Sequence, residues 1–340
     1  FDLKPQLKWI EADEKSHIFD VKIAAYLLNP LKNDYAYEDI AKDYLDLMVP
    51  SKEDYLGKKD FVTSSEEKPE EFLKMACYQA YINLMAKEPL AKQLEEEGMK
   101  ELFDKIEMPL VYTLSDMEKE GIAIDADALK EYGENLAVSI DKIEKEIYEL
   151  AHQEFNISSP KQLGEVLFDK LKIDSNHKKT KSGQYSTSEQ VLVKLEDEHP
   201  IINKILDYRG LKKLLTTYAE ALPSFIDPGT GKIHTHFNQA EAATGRLSSL
   251  NPNLQNIPIR TEEGRKIRKA FVTGNDDYLF FSADYSQVEL RLMAHLSQDK
   301  ELIHAFNHGI DVHTATASKI YHVTLEEVTP EMRRRAKTAN

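Results

Sequence analysis

The sequence predicts an α+β chain of several domains, and three observations carry that expectation. The first hundred residues mix short apolar runs with helical segments, the middle is periodic at helical spacing almost throughout, and past residue 227 turns and alternating strands return before helices resume. At 340 residues there is length for two or three separate cores. In the first part, the apolar run Ala24, Ala25, Tyr26, Leu27, Leu28 belongs to an expected α/β domain, together with a long helix from about residue 69 to 97. The polar stretch 49–68 reads as a solvated loop interrupting it. From about 108 to 222, Leu129, Tyr132, Leu136, Ile140, Ile143, Ile147 and Leu150 step by threes and fours, as do Ile201, Ile205, Tyr208, Leu215, Tyr218 and Leu222. Two long helices packed antiparallel follow from that spacing. Between them the string N-H-K-K-T-K-S-G at 176–183 is a basic tip: either a solvated face or a grip for phosphates. Residues 227–231, D-P-G-T-G, mark a turn; 232–238 alternate, and 267–271 and 278–281 supply further strands. Helical spacing resumes at Val288, Leu292, Met293 and Leu296, and Thr329, Pro330 and Glu331 open a last helix as cap, first position and dipole partner.

Charge and cysteine usage narrow the function classes. The net charge is −15, yet residues 244–340 carry 13 Lys and Arg against 12 Asp and Glu, so the acidity lies upstream and an anionic partner is not excluded. Cys77 is the sole cysteine, which fits a reducing, cytoplasmic location, and no apolar run reaches the roughly 20 residues of a membrane span. No membrane partner is expected. The start at Phe1, in mid-pattern, reads as cut from a longer chain.

Three strings carry chemistry. D-Y-S-Q-V-E-L-R at 284–291 sets Asp284 and Glu289 where an apolar run meets a helix. A carboxylate held at a strand end suits Mg²⁺, which takes one or two protein carboxylates and completes its shell with water and phosphate; the plainer alternative is a helix cap, shared with Ser286. T-G-R-L-S-S at 244–249 with P-N-L-Q-N-I-P at 252–258 lines up short hydrogen-bonding side chains with one Arg on turn-rich backbone. Such groups reach sugar edges and minor-groove acceptors that look alike in every base pair, or else form a polar surface loop. Arg333 and Lys337, at i and i+4, share a helix face suited to a polyphosphate, with His313 upstream as a further donor.

Together these strings resemble the family A DNA polymerases of bacteria in order and approximate spacing. D-V-H-T-A-T-A at 311–317, R-R-x-A-K-x-x-N at 333–340, M-E-K-E-G at 117–121 and F-N-I-S-S-P-K-Q-L at 155–163 extend the likeness through nearly the whole chain. The resemblance implies four parts: residues 1–105 as part of a vestigial, ribonuclease H-like α/β 3′-5′ exonuclease domain, 106–226 as a helical thumb, 227–288 as the first part of an antiparallel-sheet palm, and 289–340 as the start of helical fingers. It implies a monomer that adds deoxynucleotides to a primer 3′-hydroxyl on a DNA template, in replication and repair, with two Mg²⁺ ions for which Mn²⁺ substitutes. Its partners are then primer-template DNA and deoxynucleoside triphosphates. By the same likeness Asp284 is a catalytic metal ligand with the Tyr285 carbonyl beside it, and Glu289 crowds the sugar 2′ position. Gln287, Glu289, His313, Arg333 and the catalytic Lys337 take the incoming triphosphate. Arg246 holds the primer terminus, while Asn253, Gln255, Asn256 and Arg260 lie near the minor groove, and Lys178, Lys179, Lys181, Arg209, Lys212 and Lys213 grip the duplex.

Two departures accompany the likeness. The Tyr-x-x-x-Asp of proofreading members aligns with Met75 and Gln79, and an earlier Asn-x-x-x-Asp with Asp2 and Gln6; thioether and amide do not replace a carboxylate at a Mg²⁺ site, so no proofreading is expected. The second catalytic aspartate of the family, in a His-Asp-Glu string, is expected beyond Asn340, so this segment alone is expected to be inactive. Two rival readings remain: a single-subunit RNA polymerase, which would want a small residue at Glu289, and an inert duplex-binding module using the tip, Arg209, Lys212 and Lys213. His304 and His308, and likewise His234 and His236, read as solvent-facing because no third zinc ligand is evident.

Overall fold

The computed structural model describes residues 1–340 apart from 14, 175–179, 181–182, 260 and 339–340. It divides into two compact units, Phe1–Tyr278 and Leu279–Asn340. The first begins with helices α1 (Leu3–Gln6), α2 (Val21–Leu28), α3 (Tyr37–Leu45), α4 (Lys52–Leu56), α5 (Phe61–Glu67), α6 (Pro69–Glu96) and α7 (Lys100–Leu102). The expected α/β character of residues 1–105 is corrected here: among the described residues this region has no strand. The run at 24–28 is the body of α2, because Asp20 caps it with bonds from the Lys22 and Ile23 amides and Ala and Leu favour the helix. The expected loop at 49–68 holds α4 and α5, started by a Ser51–Asp54 capping box and by Asp60 accepting from Thr63. Ile40, Leu56, Ile82, Leu90 and Leu94 close the core, each buried aliphatic stabilising by about 1.5–3 kcal/mol.

Helix α8 (Met108–Glu120) adds Met108 and Val111 to that core, and a second apolar cluster fills the helical arm: α9 (Ala126–Ala151), α10 (Pro160–Gly164), α11 (Glu189–Val193) and α12 (Pro200–Leu214), which runs on into a π-helical turn at Leu215–Ala219. Leu129, Leu136, Ile140 and Ile147 of α9 are buried against Ile201, Ile205 and Tyr208 of α12. The pairing is antiparallel as the spacing predicts. Gly133, early in α9, lies against Leu215 and Ala219, whereas Glu146, late in α9, pairs with Lys204 at 2.6 Å.

Strand β1 (Ile122–Ile124) follows Gly121, whose φ of +65° and close approach to the Ile233 carbonyl and the His234 ring leave no room for a Cβ. It is the middle of an antiparallel sheet with β2 (Lys232–Ile233) on one side and β5 (Phe271–Val272) on the other, and β3 (His236–Asn238) pairs antiparallel with β4 (Ser248–Leu250). The expected strand at 267–271 is instead mostly α13 (Glu262–Lys269), capped by Thr261, acidic in its first turn and basic in its last. Only Phe271 keeps the strand.

The second unit holds α14 (Val288–Ser297), α15 (Lys300–Asn307), α16 (Val312–Tyr321) and α17 (Pro330–Ala336). The expected strand at 278–281 is absent, and Leu279 and Phe281 are each 91% exposed. An apolar run becomes a strand only when a neighbour satisfies its backbone, and among the described residues none pairs with it. Helix α14 begins as predicted, yet Leu292, Met293 and Leu296 on it are exposed and only Ala294 is buried. Among the described residues, no helix is long and apolar enough to cross a membrane.

Candidate functional site

In the second unit, Asp311 gathers the predicted phosphate-binding side chains. Its carboxylate caps α16 by accepting from the Thr314 amide and hydroxyl, each at 2.8 Å. It also receives the Arg333 fork from α17, Nε to Oδ1 and Nη2 to Oδ2, both at 2.9 Å. Gln287 Nε2 donates to Oδ2 at 3.2 Å from the head of α14, where Gln287 itself holds a φ of +53° that few residues other than glycine adopt. The Arg333 guanidinium, with the Thr314 bonds, holds the Asp311 carboxyl well below the usual carboxylate range against the opposing effect of burial. His313 is 8% exposed; burial pushes its pKa down, opposed by Asp311 and assisted by Arg333 and Lys337, so a neutral ring is the form at pH 7. Arg333 and Lys337 follow Thr329, which accepts from the Met332 amide at 3.2 Å as the N-cap. The sequence singled out Arg333, Lys337, Gln287 and His313 but not Asp311 as their organiser; the signal was the D-x-x-T spacing of a capping residue.

Asp284, Tyr285 and Glu289 are exposed, Tyr285 to 83%. Asp284 is not the cap of α14, whose N-cap is Gln287 with no side-chain capping bond, nor does it end a strand. Arg291 fixes the segment instead, donating to the Ser286 carbonyl at 2.9 Å and lying 4.6 Å from the centre of the Phe306 ring. Among the described residues, no three His, Cys, Asp or Glu side chains are grouped to hold a metal. A single exposed carboxylate with a neighbouring carbonyl nevertheless fits the small share of its shell that Mg²⁺ takes from protein.

In the first unit, the T-G-R-L-S-S string turns back into β4, and Arg246, Asn253, Gln255 and Asn256 are exposed. The segment is pinned from beneath. Buried Ser249 shares a 2.7 Å bond with Thr235 and accepts from the Leu254 amide at 3.0 Å, while Thr235 donates to the Pro252 carbonyl at 2.8 Å. Asn253 accepts from the Gln255 amide at 3.0 Å, an Asx turn that holds 253–256 outward. Arg209 is half buried and spends its guanidinium on Thr187, taking the carbonyl and, at 3.3 Å, the hydroxyl. It lines a groove of about 610 Å³ with Lys212, Lys213, Tyr185 and Tyr208. Lys178, Lys179, Lys181 and Arg260 lie outside the described residues.

The residues aligned with the proofreading motif lie on α6. Met75 is 4% exposed within the apolar core, and Gln79 is half buried one turn on. His304 and His308 are exposed and their rings stack at 4.0 Å. The reading of His234 as solvent-facing is corrected: its ring bonds the Glu118 carbonyl at 2.8 Å and the Thr230 hydroxyl at 2.6 Å, because it leaves β2 between the end of α8 and the turn that precedes β2.

Comparison with known proteins bears on both units. Residues 126–340 match DNA polymerase family A. The chain is 47% identical over 336 residues to DNA polymerase I of Bacillus subtilis (strain 168) and 48% identical over 336 residues to that of Geobacillus stearothermophilus. Each alignment takes in 98% of this chain and 38% of the relative, so the chain spans under two fifths of their length. Among solved structures it resembles the POL domain of Pol1 from M. smegmatis in complex with DNA primer-template and dNTP, with a TM-score of 0.80 and 38% identity over 94% of this chain and 53% of that one. With the family match covering well over half the chain, and relatives nearly half identical along 98% of it, the chain belongs to DNA polymerase family A.

Proposed function

We propose that this chain supplies part of a DNA-directed DNA polymerase that extends a primer 3′-hydroxyl with deoxynucleotides on a DNA template, in replication and repair. One observation carries the reading: Asp311 draws Gln287, Arg333 and the start of α16 with His313 together, beside Lys337. Cations and a neutral imidazole so placed neutralise a polyphosphate and orient it for in-line displacement. Asp284 and the Tyr285 carbonyl would hold Mg²⁺, one of two ions, with Mn²⁺ as substitute; such ions lower the pKa of an attacking hydroxyl and stabilise a leaving oxyanion. Glu289, on the first turn of α14, crowds the sugar 2′ position and favours deoxyribonucleotides over the small-residue gate of an RNA polymerase. Arg246 holds the primer terminus, with Asn253, Gln255 and Asn256 along the minor groove. Residues 106–226 act as thumb, 227–288 as the first part of the palm and 289–340 as the first part of the fingers, in a monomer. Residues 1–105, with Met75 and Gln79 where proofreading members place a tyrosine and a metal-binding aspartate, serve the fold and not a nuclease.

The test replaces Asp284 in a polypeptide that carries this chain at the full length of its relatives. Asp284→Asn should lower single-turnover incorporation about a thousandfold, the scale of several kcal/mol of metal-assisted stabilisation, while primer-template affinity stays within about twofold because a phosphate-gripping surface is untouched. Turnover close to wild type would overturn the metal assignment.

A further inference from the structure

The turn that presents Arg246 is fastened to the N-terminal helices. Ala242 and Gly245 close it with a 3.0 Å backbone bond, and Gly245 takes a φ of +77° that suits glycine. The same Ala242 carbonyl accepts the Tyr26 hydroxyl from α2 at 2.6 Å. Tyr26 is 2% exposed, its ring edge-on to Tyr35 at 5.9 Å. Upstream of the turn, Gln239 Nε2 donates to the Glu107 carbonyl at 2.9 Å and to its carboxylate, and Ala240 is buried in the apolar cluster that also holds Tyr26 and Met75. Glu118 accepts from the Phe237 amide at 2.7 Å, and buried Lys4 bonds both Glu118 and the Phe237 carbonyl. The stretch 237–242 is thus tied to elements before residue 121 at several points, the last of them four residues before exposed Arg246.

A phenyl ring would fill the Tyr26 pocket as well as a phenol does, so the hydroxyl acts on the turn and not on the core. We infer that Tyr26 is a positioning residue: through Ala242 it sets the turn from which Arg246 reaches the primer, so that the N-terminal helices work as a mount for the primer-contacting loop. This rests on the reading of Arg246 as the residue that holds the primer terminus.

The test compares Tyr26→Phe with Tyr37→Phe in the full-length polypeptide. Tyr37 is buried in the same cluster and donates to the Pro50 carbonyl, away from the turn, so a merely structural role would move both variants alike. Tyr26→Phe is expected to raise the KM for primer-template about fivefold, the size of one lost hydrogen bond, with kcat and Tm matching those of Tyr37→Phe. Combined with Arg246→Ala it should weaken binding no further than Arg246→Ala alone, since both act through one contact. Gln239→Met, which frees the same stretch from Glu107, should shift KM in the same direction, and this carries the test if Tyr26→Phe lowers Tm. Equal KM in Tyr26→Phe and Tyr37→Phe, or a full extra factor on top of Arg246→Ala, overturns the inference while leaving the Arg246 reading intact. An unchanged KM in Arg246→Ala alone removes that reading and the inference with it.

Discussion

Asp20 and Asp284 stand at opposite ends of the chain and show what a carboxylate is used for in each region. Asp20, 2% exposed in the N-terminal helices, accepts from the Leu3 amide at 2.5 Å, Lys22 at 2.9 Å and Ile23 at 3.2 Å, and burial pushes its pKa up. Its carboxylate oxygens accept from three backbone donors. Nearby, Met75 fills the position aligned with the tyrosine of a nuclease motif and seals the core. Asp284 is exposed, caps nothing and precedes a helix that is itself mostly exposed. Asp311 is the middle case: it caps α16 as Asp20 caps α2, yet it faces an Arg fork and remains 31% exposed. The comparison teaches that Asp20 is committed to holding the fold, whereas Asp284 meets solvent and Asp311 stands between the two uses.

Several substitutions break or sharpen that contrast. The loss of incorporation in Asp284→Asn is the largest effect. Next, Met75→Asp should not restore a nuclease but should cost roughly 3 kcal/mol or more of stability, because the new carboxylate is buried without a partner; urea unfolding followed by far-UV circular dichroism reads it. Near-wild-type stability would mean the site is open enough to hold an ion. Asp311→Asn should raise the KM for deoxynucleotide about tenfold or more by releasing Arg333 and Gln287 from one anchor, with steady-state kinetics as the check. The same residue sets a pH signature. A carboxyl held below its ordinary pKa contributes stability that is present above the unfolded value, near 4, and lost as pH falls below it. Asp20, held above its ordinary value, acts in the opposite sense, so its strain is relieved on acidification. Below about pH 4, α16 and α17 should therefore lose hydrogen-exchange protection before α2 does, and Asp311→Asn should abolish that order. The smallest effect is expected at Glu289→Ala, a roughly tenfold loss of discrimination against ribonucleotides, measured by single-turnover incorporation; unchanged selectivity would remove the gate.

How much of this could be read from the sequence depends on whether the deciding interaction is local. The helices α9 and α12 were legible because a stripe of Leu and Ile at threes and fours states which face is buried, and the last helix because Thr329, Pro330 and Glu331 spell its start. Helices α4 and α5 carry equally local signals in Ser51, Asp54 and Asp60, which a reading guided by polarity passed over. The runs at 24–28 and 278–281 look alike as strings of apolar residues, yet one is helix and the other irregular, because capping decides the first and, among the described residues, the second finds no partner strand. In the site, residue types were legible and their grouping was not. Arg333 and Gln287 meet at Asp311 across 22 and 24 residues of chain, a distance that periodicity does not span. Tyr26 and Ala242, 216 residues apart, lie further still beyond such reach.

The contrast between the two regions is tested most directly by giving the full-length polypeptide a 5′-labelled primer with a mismatched 3′ end, Mg²⁺ and, in a second arm, a matched primer with deoxynucleotides, and resolving product lengths over time. The account predicts lengthening of the matched primer that vanishes in Asp284→Asn and no shortening of the mismatched one in either protein. Shortening that persists in Asp284→Asn would show a working nuclease among the N-terminal helices and contradict it.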